Sequence, residues 1–179
     1  MWRRGGLLIV LLVIALAGFL LVSGSDGSDP RGPVAEANCS NAVEGSPRLN
    51  GKSDVVFDLF ALMGARRTAG RPRDAFDGHG YKVPATLPWG VTATLSVPAG
   101  LRSRVGLVYS LDTQERVFRK GVEGADSVVR FTACPTGGER QRTGWPGGLV
   151  VDRRRCVVLV ARIAGRGSMR RRVPLGRRC

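Results

Sequence analysis

The residues best suited to acid–base chemistry are the single histidine of this chain and two carboxylates close to it. His79 lies between glycines in the stretch AFDGHGYK, and Asp74 and Asp77 precede it. A Ser-His-acid hydrolase needs a nucleophile activated by a histidine that a third group orients. No serine stands in a G-x-S-x-G turn. We therefore interpret His79 as a solvated loop residue and predict a non-enzymatic protein with no catalytic residues.

The other acids give no sign of the carboxylate pair that glycoside hydrolases use. Asp58 lies in an apolar strand pattern, whereas Glu115, Glu123 and Asp126 lie in turn-like contexts. None of these four has the apolar surroundings that raise the pKa of a proton-donating acid. Gly-rich stretches such as GRGSMRRR lack the following helix of a phosphate cradle. Structural or solvated roles are predicted for these acids, and no cofactor is expected.

The four cysteines, Cys39, Cys134, Cys156 and Cys179, point to disulfides rather than to a metal. The chain has no C-x-x-C pair and one histidine, too few ligands for a zinc site. An even number of cysteines in an exported chain favours two disulfides. We favour Cys134–Cys156 with Cys39–Cys179. The alternative, Cys39–Cys134 with Cys156–Cys179, remains open.

Arginine could carry a binding function, because the net charge is +14 and 25 of the 28 basic residues are arginine. A strongly basic exported protein suggests an anionic envelope polymer or anionic lipid as partner. A GC-rich genome produces the same arginine bias without any function. Residues 151–179 contain no aromatic residue, so nucleic acid is not an expected partner. The candidate polyanion-binding residues are two runs of three: Arg153, Arg154, Arg155 and Arg170, Arg171, Arg172.

The N-terminal segment predicts where this chain is located. Residues 7–22 are apolar and follow Arg3 and Arg4, which is typical of a signal anchor or signal peptide, residues 1–24. The expected location is the cell membrane, with one N-terminal transmembrane helix and the remainder outside. Cleavage near residues 22–24 would give a secreted protein. Residues 25–50 are rich in Ser, Gly and Pro and predict a flexible stalk, and residues 51–179 form the extracytoplasmic domain.

Alternating apolar and polar residues predict the elements of that domain. GVTATLSVP, SVVRFTAC and CVVLVARIAG each alternate with period two, and turn residues recur between such stretches. Pro174 in SMRRRVPLG places that last strand at a sheet edge. No stretch of ten residues has a convincing helical pattern. We predict an all-β, immunoglobulin-like β-sandwich of about seven or eight short strands.

Two tryptophans are predicted to lie exposed in turns. Trp89 is followed by Gly, and Trp145 lies in the stretch TGWPGG. Aromatic residues in such turns cover the open end of a sandwich more often than they bind carbohydrate. Residues 143–148 are therefore interpreted as a turn with Trp145 as an end cap.

The C-terminal third resembles a group of small, uncharacterised, exported or membrane-anchored actinobacterial proteins. The similarity rests on VRFTACP, TGWPGGLVVDRRRC, VVLVARIAG and VPLGRRC within residues 128–179. The group shares a strand ending in Cys, a Gly-Trp-x-Gly-Gly turn, a Cys opening the next strand and a terminal Gly-x-x-Cys. The resemblance implies an extracytoplasmic, disulfide-bonded β domain and no known activity. Arg153 to Arg155 depart from the Pro or Gly that members often carry there.

These features predict a non-enzymatic, membrane-anchored β-sandwich with a structural or interaction role at the bacterial cell envelope. Its partners would be the plasma membrane, through the N-terminal helix, and an anionic envelope polymer or another envelope protein. A basic module for envelope polyanions or anionic lipids is the main alternative. An envelope hydrolase built around His79 is the less favoured one.

Overall fold

The computed structural model describes residues 33–43, 48–135 and 141–179. The predicted signal segment, residues 1–24, lies outside these ranges, as does the first part of the predicted stalk. Within the described ranges, no helix has both the length and the apolar character needed to cross a membrane.

The described chain is predominantly β, with twelve strands and one α-helix, and is consistent with the predicted all-β sandwich. The strands are β1 (Ala35–Ala37), β2 (Val55–Phe57), β3 (Phe60–Leu62), β4 (Gly80–Lys82), β5 (Ala85–Pro88), β6 (Thr92–Ser96), β7 (Val105–Val108), β8 (Val128–Thr132), β9 (Arg142–Trp145), β10 (Gly148–Val151), β11 (Arg155–Ile163) and β12 (Gly167–Leu175). The α-helix is α1 (Leu111–Lys120), and short 3-10 turns cover Cys39–Asn41, Ala65–Thr68, Ala99–Leu101 and Gly121–Gly124.

The strands form three sheets around one main hydrophobic core. The largest sheet has the order β1-β8-β6-β11-β12, and the others have the orders β4-β10-β7 and β2-β3-β5-β9. Strands of all three sheets contribute buried side chains to the main cluster. The rings of Phe60, Tyr109 and Trp145 surround Phe131 with centroid distances of 4.9 to 5.2 Å. Burying a large apolar side chain of this kind stabilises a fold by about 1.5–3 kcal/mol.

The predicted alternation is confirmed in the long strands of the largest sheet. In β11, Val157, Leu159, Ala161 and Ile163 are buried, and the residues between them are half-buried or exposed. β6 follows the same rule, and so does β8 from Val129 onward. β12, which carries Pro174, is the edge strand of this sheet, as predicted. Period two therefore identifies strands that have one face on the core and one toward solvent.

The number of strands exceeds the seven or eight expected, because several are too short to alternate. The stretch SDVVFDLFALM is a hairpin of β2 and β3, in which Phe57 pairs with Phe60. Asp58 adopts a left-handed conformation, with φ 59°, and this turns the chain. Strands of three or four residues with both faces covered, such as β10, show no period.

The helix α1 is a correction, since no stretch of ten residues was expected to form a helix. Only Thr113 and Val117 of α1 are buried, and Leu111 is 79% exposed. With so few buried positions, the apolar pattern is too weak to identify a helix. The end signals were present: Ser110 accepts a hydrogen bond from the Thr113 N–H, and Gly121 follows the last turn.

Part of the predicted stalk belongs to the folded domain. β1 pairs in parallel with β8, and Ala37 is fully buried. The Asn38 carbonyl accepts a hydrogen bond from Trp145 Nε1 at 2.9 Å. The domain therefore includes residues 35–43 and does not begin at residue 51. Their small residues looked like a linker, but a strand added to a sheet edge needs only short side chains.

The interpretation of Trp145 as an exposed turn residue is wrong. Trp145 ends β9 and has no exposed surface. The turn is only Pro146 and Gly147, since β10 begins at Gly148. The Gly-Gly pair is required because a Cβ at either position would overlap a neighbouring backbone carbonyl. Trp89 is half-buried.

The favoured cysteine pairing is wrong, and the alternative forms. Cys39 is bonded to Cys134, and Cys156 to Cys179, with Cα–Cα distances of 5.3 and 5.1 Å. Cys134 follows β8 and Cys156 lies in β11, and β6 separates these two strands. The parallel β1 instead brings Cys39 beside the end of β8.

Candidate functional site

The six arginines predicted to bind polyanions do not form one patch. Arg170 and Arg172 point outward from β12, whereas Arg171 donates from Nε to the Val56 carbonyl at 3.1 Å. Arg155 is directed inward and forms an ion pair with Asp152 at 2.6 Å. The remaining two, Arg153 and Arg154, are exposed in the turn before β11.

A different set of arginines shares the outer face of the β11–β12 hairpin. Arg162, Arg170 and Arg172 are all exposed, and we call them the hairpin row. The register opposes Arg170 to Val160 and Arg172 to Val158, whose side chains share this face. Arg170 and Arg172 are two residues apart, a separation of about 7 Å along the strand. Alternation in β11 was the signal that could have grouped Arg162 with the β12 pair.

The C-terminal residues lie at the end of this face. Cys156 belongs to the outward set of β11 and is opposite Pro174. Its disulfide with Cys179 holds the end of the tail beside β11. Arg177 and Arg178, which we call the C-terminal pair, are exposed just before this cysteine. Sequence reasoning missed them as site residues, because only the correct disulfide brings them to the hairpin.

No acid in the described part of the chain forms an ion pair with the hairpin row. Six ion pairs join described residues, and none involves the hairpin row or the C-terminal pair. Arg130 on β8 faces the same side but pairs with Glu36 at 3.2 Å. Free guanidinium groups bind phosphate and carboxylate through two parallel hydrogen bonds. This face can therefore bind an anion without breaking an internal ion pair.

The region of His79 lacks the contacts of a catalytic site. The imidazole lies beside Gly121, where a Cβ would come within 3.5 Å of it. Asp74 lies 3.9 Å from Arg71, and Asp77 is exposed in a left-handed turn. Among the described residues, no hydrogen bond or ion pair joins His79 to either carboxylate. The geometry that orients a general base is not formed here.

A cleft of about 490 Å³ lies between β1 and the start of α1. Its polar walls come from the strand, the helix and the turn after it. They include Glu36, Ser110, Asp112, Thr113, Arg116 and Asp126. Asp126 was predicted to have a structural or solvated role in a turn-like context, and its side chain is only 14% exposed. No neighbour in sequence indicates this, because the burying groups come from α1 and β7.

Three charged residues of this cleft, Asp112, Arg116 and Asp126, pair with one another. Asp126 accepts hydrogen bonds from Thr113 Oγ1 at 2.5 Å and from the Arg116 guanidinium at 2.7 Å. Arg116 also pairs with Asp112. Burial raises the pKa of Asp126 despite the opposing effects of Thr113 and Arg116. Within the described ranges, no cluster of three or more potential ligand residues could hold a metal ion. The contacts of Asp126 with Thr113 and Arg116 thus hold α1 against the rest of the domain.

No protein-family model, curated protein or solved structure matches this chain. The resemblance of residues 128–179 to exported actinobacterial proteins therefore stays a prediction.

Proposed function

We propose that this chain is a non-enzymatic, membrane-anchored domain outside the cell membrane that binds phosphate-bearing polymers of the envelope. The hairpin row is the observation that carries this proposal, because its three arginines share one exposed face without an acidic partner. The anionic partner is expected to lie along the outer side of β11 and β12.

The location is inferred from the N-terminal segment and from the two disulfides. The basic start and apolar run of residues 1–24 support a signal anchor. Two disulfides are typical of proteins that fold in an oxidising compartment. We therefore propose a single-pass membrane protein with its β domain outside, or a secreted protein if the segment is cleaved.

The finer fold assignment is also a proposal. Antiparallel pairing of the β6, β11 and β12 strands and a core shared by several sheets support an immunoglobulin-like sandwich. The actinobacterial origin is supported by the cysteine and Gly-Trp-x-Gly-Gly pattern of residues 128–179 and by the arginine-rich composition.

Retention on phosphocellulose tests the function. We expect the full chain in detergent to bind and to elute with salt, because association releases counterions from the polymer. The variant Arg170→Gln/Arg172→Gln should elute at distinctly lower salt. The matched control is Arg119→Gln/Lys120→Gln, which removes the same charge from exposed positions on α1. If both variants shift equally, only net charge matters and the specific site is refuted.

A further inference from the structure

The Cys156–Cys179 disulfide lies on the face that carries the hairpin row. Cys156 has the same orientation as Val158 and Val160, since alternate residues of β11 face outward. The tail turns at Gly176, whose φ is 73° and where a Cβ would overlap the Tyr81 hydroxyl. The disulfide then holds Cys179 against β11. The C-terminal pair is therefore held next to the end of the row.

We infer that this disulfide extends the anion-binding face by fixing the C-terminal pair in line with the hairpin row. This inference rests on the proposed function. The resulting track runs from Arg162 on β11 to the level of Cys156, about 20 Å at the usual rise per residue. Five arginines lie along it: Arg162, Arg170, Arg172, Arg177, Arg178.

The arrangement fits a linear polymer of phosphates. Across the sheet, the outward residues of β6 are Thr92, Thr94 and Ser96, which carry no charge. Arg130 on β8 is already paired with Glu36. Free charge is therefore arranged along the strand direction and not over the plane of the sheet. A chain of successive phosphates can contact such a track along its length, whereas a bilayer presents its phosphates in two dimensions.

The two disulfides differ in what they hold. Cys39–Cys134 ties the β1 segment to β8, and the nearby Arg130 is neutralised. Cys156–Cys179 ties two unpaired arginines to a row of three more. Removing either bond costs stability, but only the second removal should weaken anion binding.

Titration of the full chain in detergent with long-chain inorganic polyphosphate tests this inference. The slope of log K against log salt reports the number of arginine contacts, at about 0.7 per contact for a flexible single chain. We expect Arg177→Gln/Arg178→Gln to lower the slope by about 1.4. Cys156→Ser/Cys179→Ser should lower it by a similar amount, and the control Cys39→Ser/Cys134→Ser should leave it unchanged.

Combining the changes separates positioning from general destabilisation. If the disulfide acts by holding the C-terminal pair, its removal has no further effect in the Arg177→Gln/Arg178→Gln background. Additive losses would overturn the inference. If the Cys156→Ser/Cys179→Ser variant loses its near-ultraviolet circular dichroism, a second variant is tested in its place. This second variant carries a four-residue Gly-Ser insertion after Arg178. This insertion keeps the bond and frees the arginines, so an unchanged slope would refute the positioning role.

The outcomes also distinguish this inference from the proposed function. Polyphosphate binding that Arg170→Gln/Arg172→Gln weakens, but Arg177→Gln/Arg178→Gln does not, overturns the inference alone. Absence of salt-dependent binding by the wild-type chain overturns both. Binding to anionic lipid vesicles in preference to polyphosphate would contradict the linear track and favour a membrane surface.

Discussion

The outer face of the β11–β12 hairpin and the cleft beside α1 both contain arginines, and these arginines differ in whether they are paired with acids. In the cleft, Arg116 pairs with both Asp112 and Asp126, and Asp126 is mostly buried. On the hairpin, Arg162, Arg170 and Arg172 have no carboxylate within reach among the described residues. Pairing and burial separate charges that stabilise the fold from charges available to a partner.

Neither composition nor shape alone shows which of the two regions can bind a partner. The cleft has the volume and the carboxylates expected of a binding site, yet Arg116 already pairs with Asp112 and Asp126. The outer face of the hairpin holds three exposed arginines that form no ion pair with any described acid. Three variants test this comparison.

The largest effect on stability is expected from Arg116→Ala in the cleft. The change leaves Asp126 buried without its cationic partner and removes the hydrogen bond from Arg116 Nε to the Gly124 carbonyl. Losing one member of a partly buried pair should lower the free energy of unfolding by about 2 kcal/mol. Urea unfolding measures it, with the exposed Arg119→Ala of the same helix as control. Equal effects of the two changes would show that the cleft is not a structural cluster.

A smaller effect on the free energy of unfolding, which changes with pH, is expected from Asp126→Asn. Because folding raises the pKa of Asp126, the folded state holds that proton more tightly than the unfolded state. The resulting stabilisation is present below the unfolded pKa and is lost as pH rises through the folded pKa. Wild type should therefore lose stability relative to Asp126→Asn as pH rises through this range. Urea unfolding of both proteins at several pH values measures this. A urea midpoint of wild type that rises relative to that of Asp126→Asn as pH increases would contradict the prediction.

The smallest effect on stability is expected from Arg170→Gln/Arg172→Gln on the hairpin. Exposed side chains without ion pairs contribute little, so the free energy of unfolding should stay within about 0.5 kcal/mol of wild type. β12 is an edge strand, and charged side chains on edges also prevent pairing between molecules. Sedimentation velocity tests that explanation. A variant that self-associates while retaining its binding to phosphocellulose would show that the arginines protect the edge.

The long strands of the largest sheet could be predicted from the sequence because each has one solvent-exposed and one buried face. Period two in β6, in β11 and in β8 from Val129 onward follows from the pleat, because successive side chains of a strand point to opposite faces. The even cysteine count likewise predicts oxidised thiols without reference to the fold. These properties are local or additive along the chain, and the amino-acid sequence determined them by itself.

The candidate site was decided by tertiary structure, because each of its parts joins distant segments. Cys179 meets Cys156 only when β12 lies against β11, and this contact brings the C-terminal pair beside the hairpin row. The burial of Asp126 depends on α1 and β7. The runs of three arginines were therefore misleading, since neighbours along a strand point to opposite faces. Which arginines share a surface depends on strand register, and register forms only with the sheet.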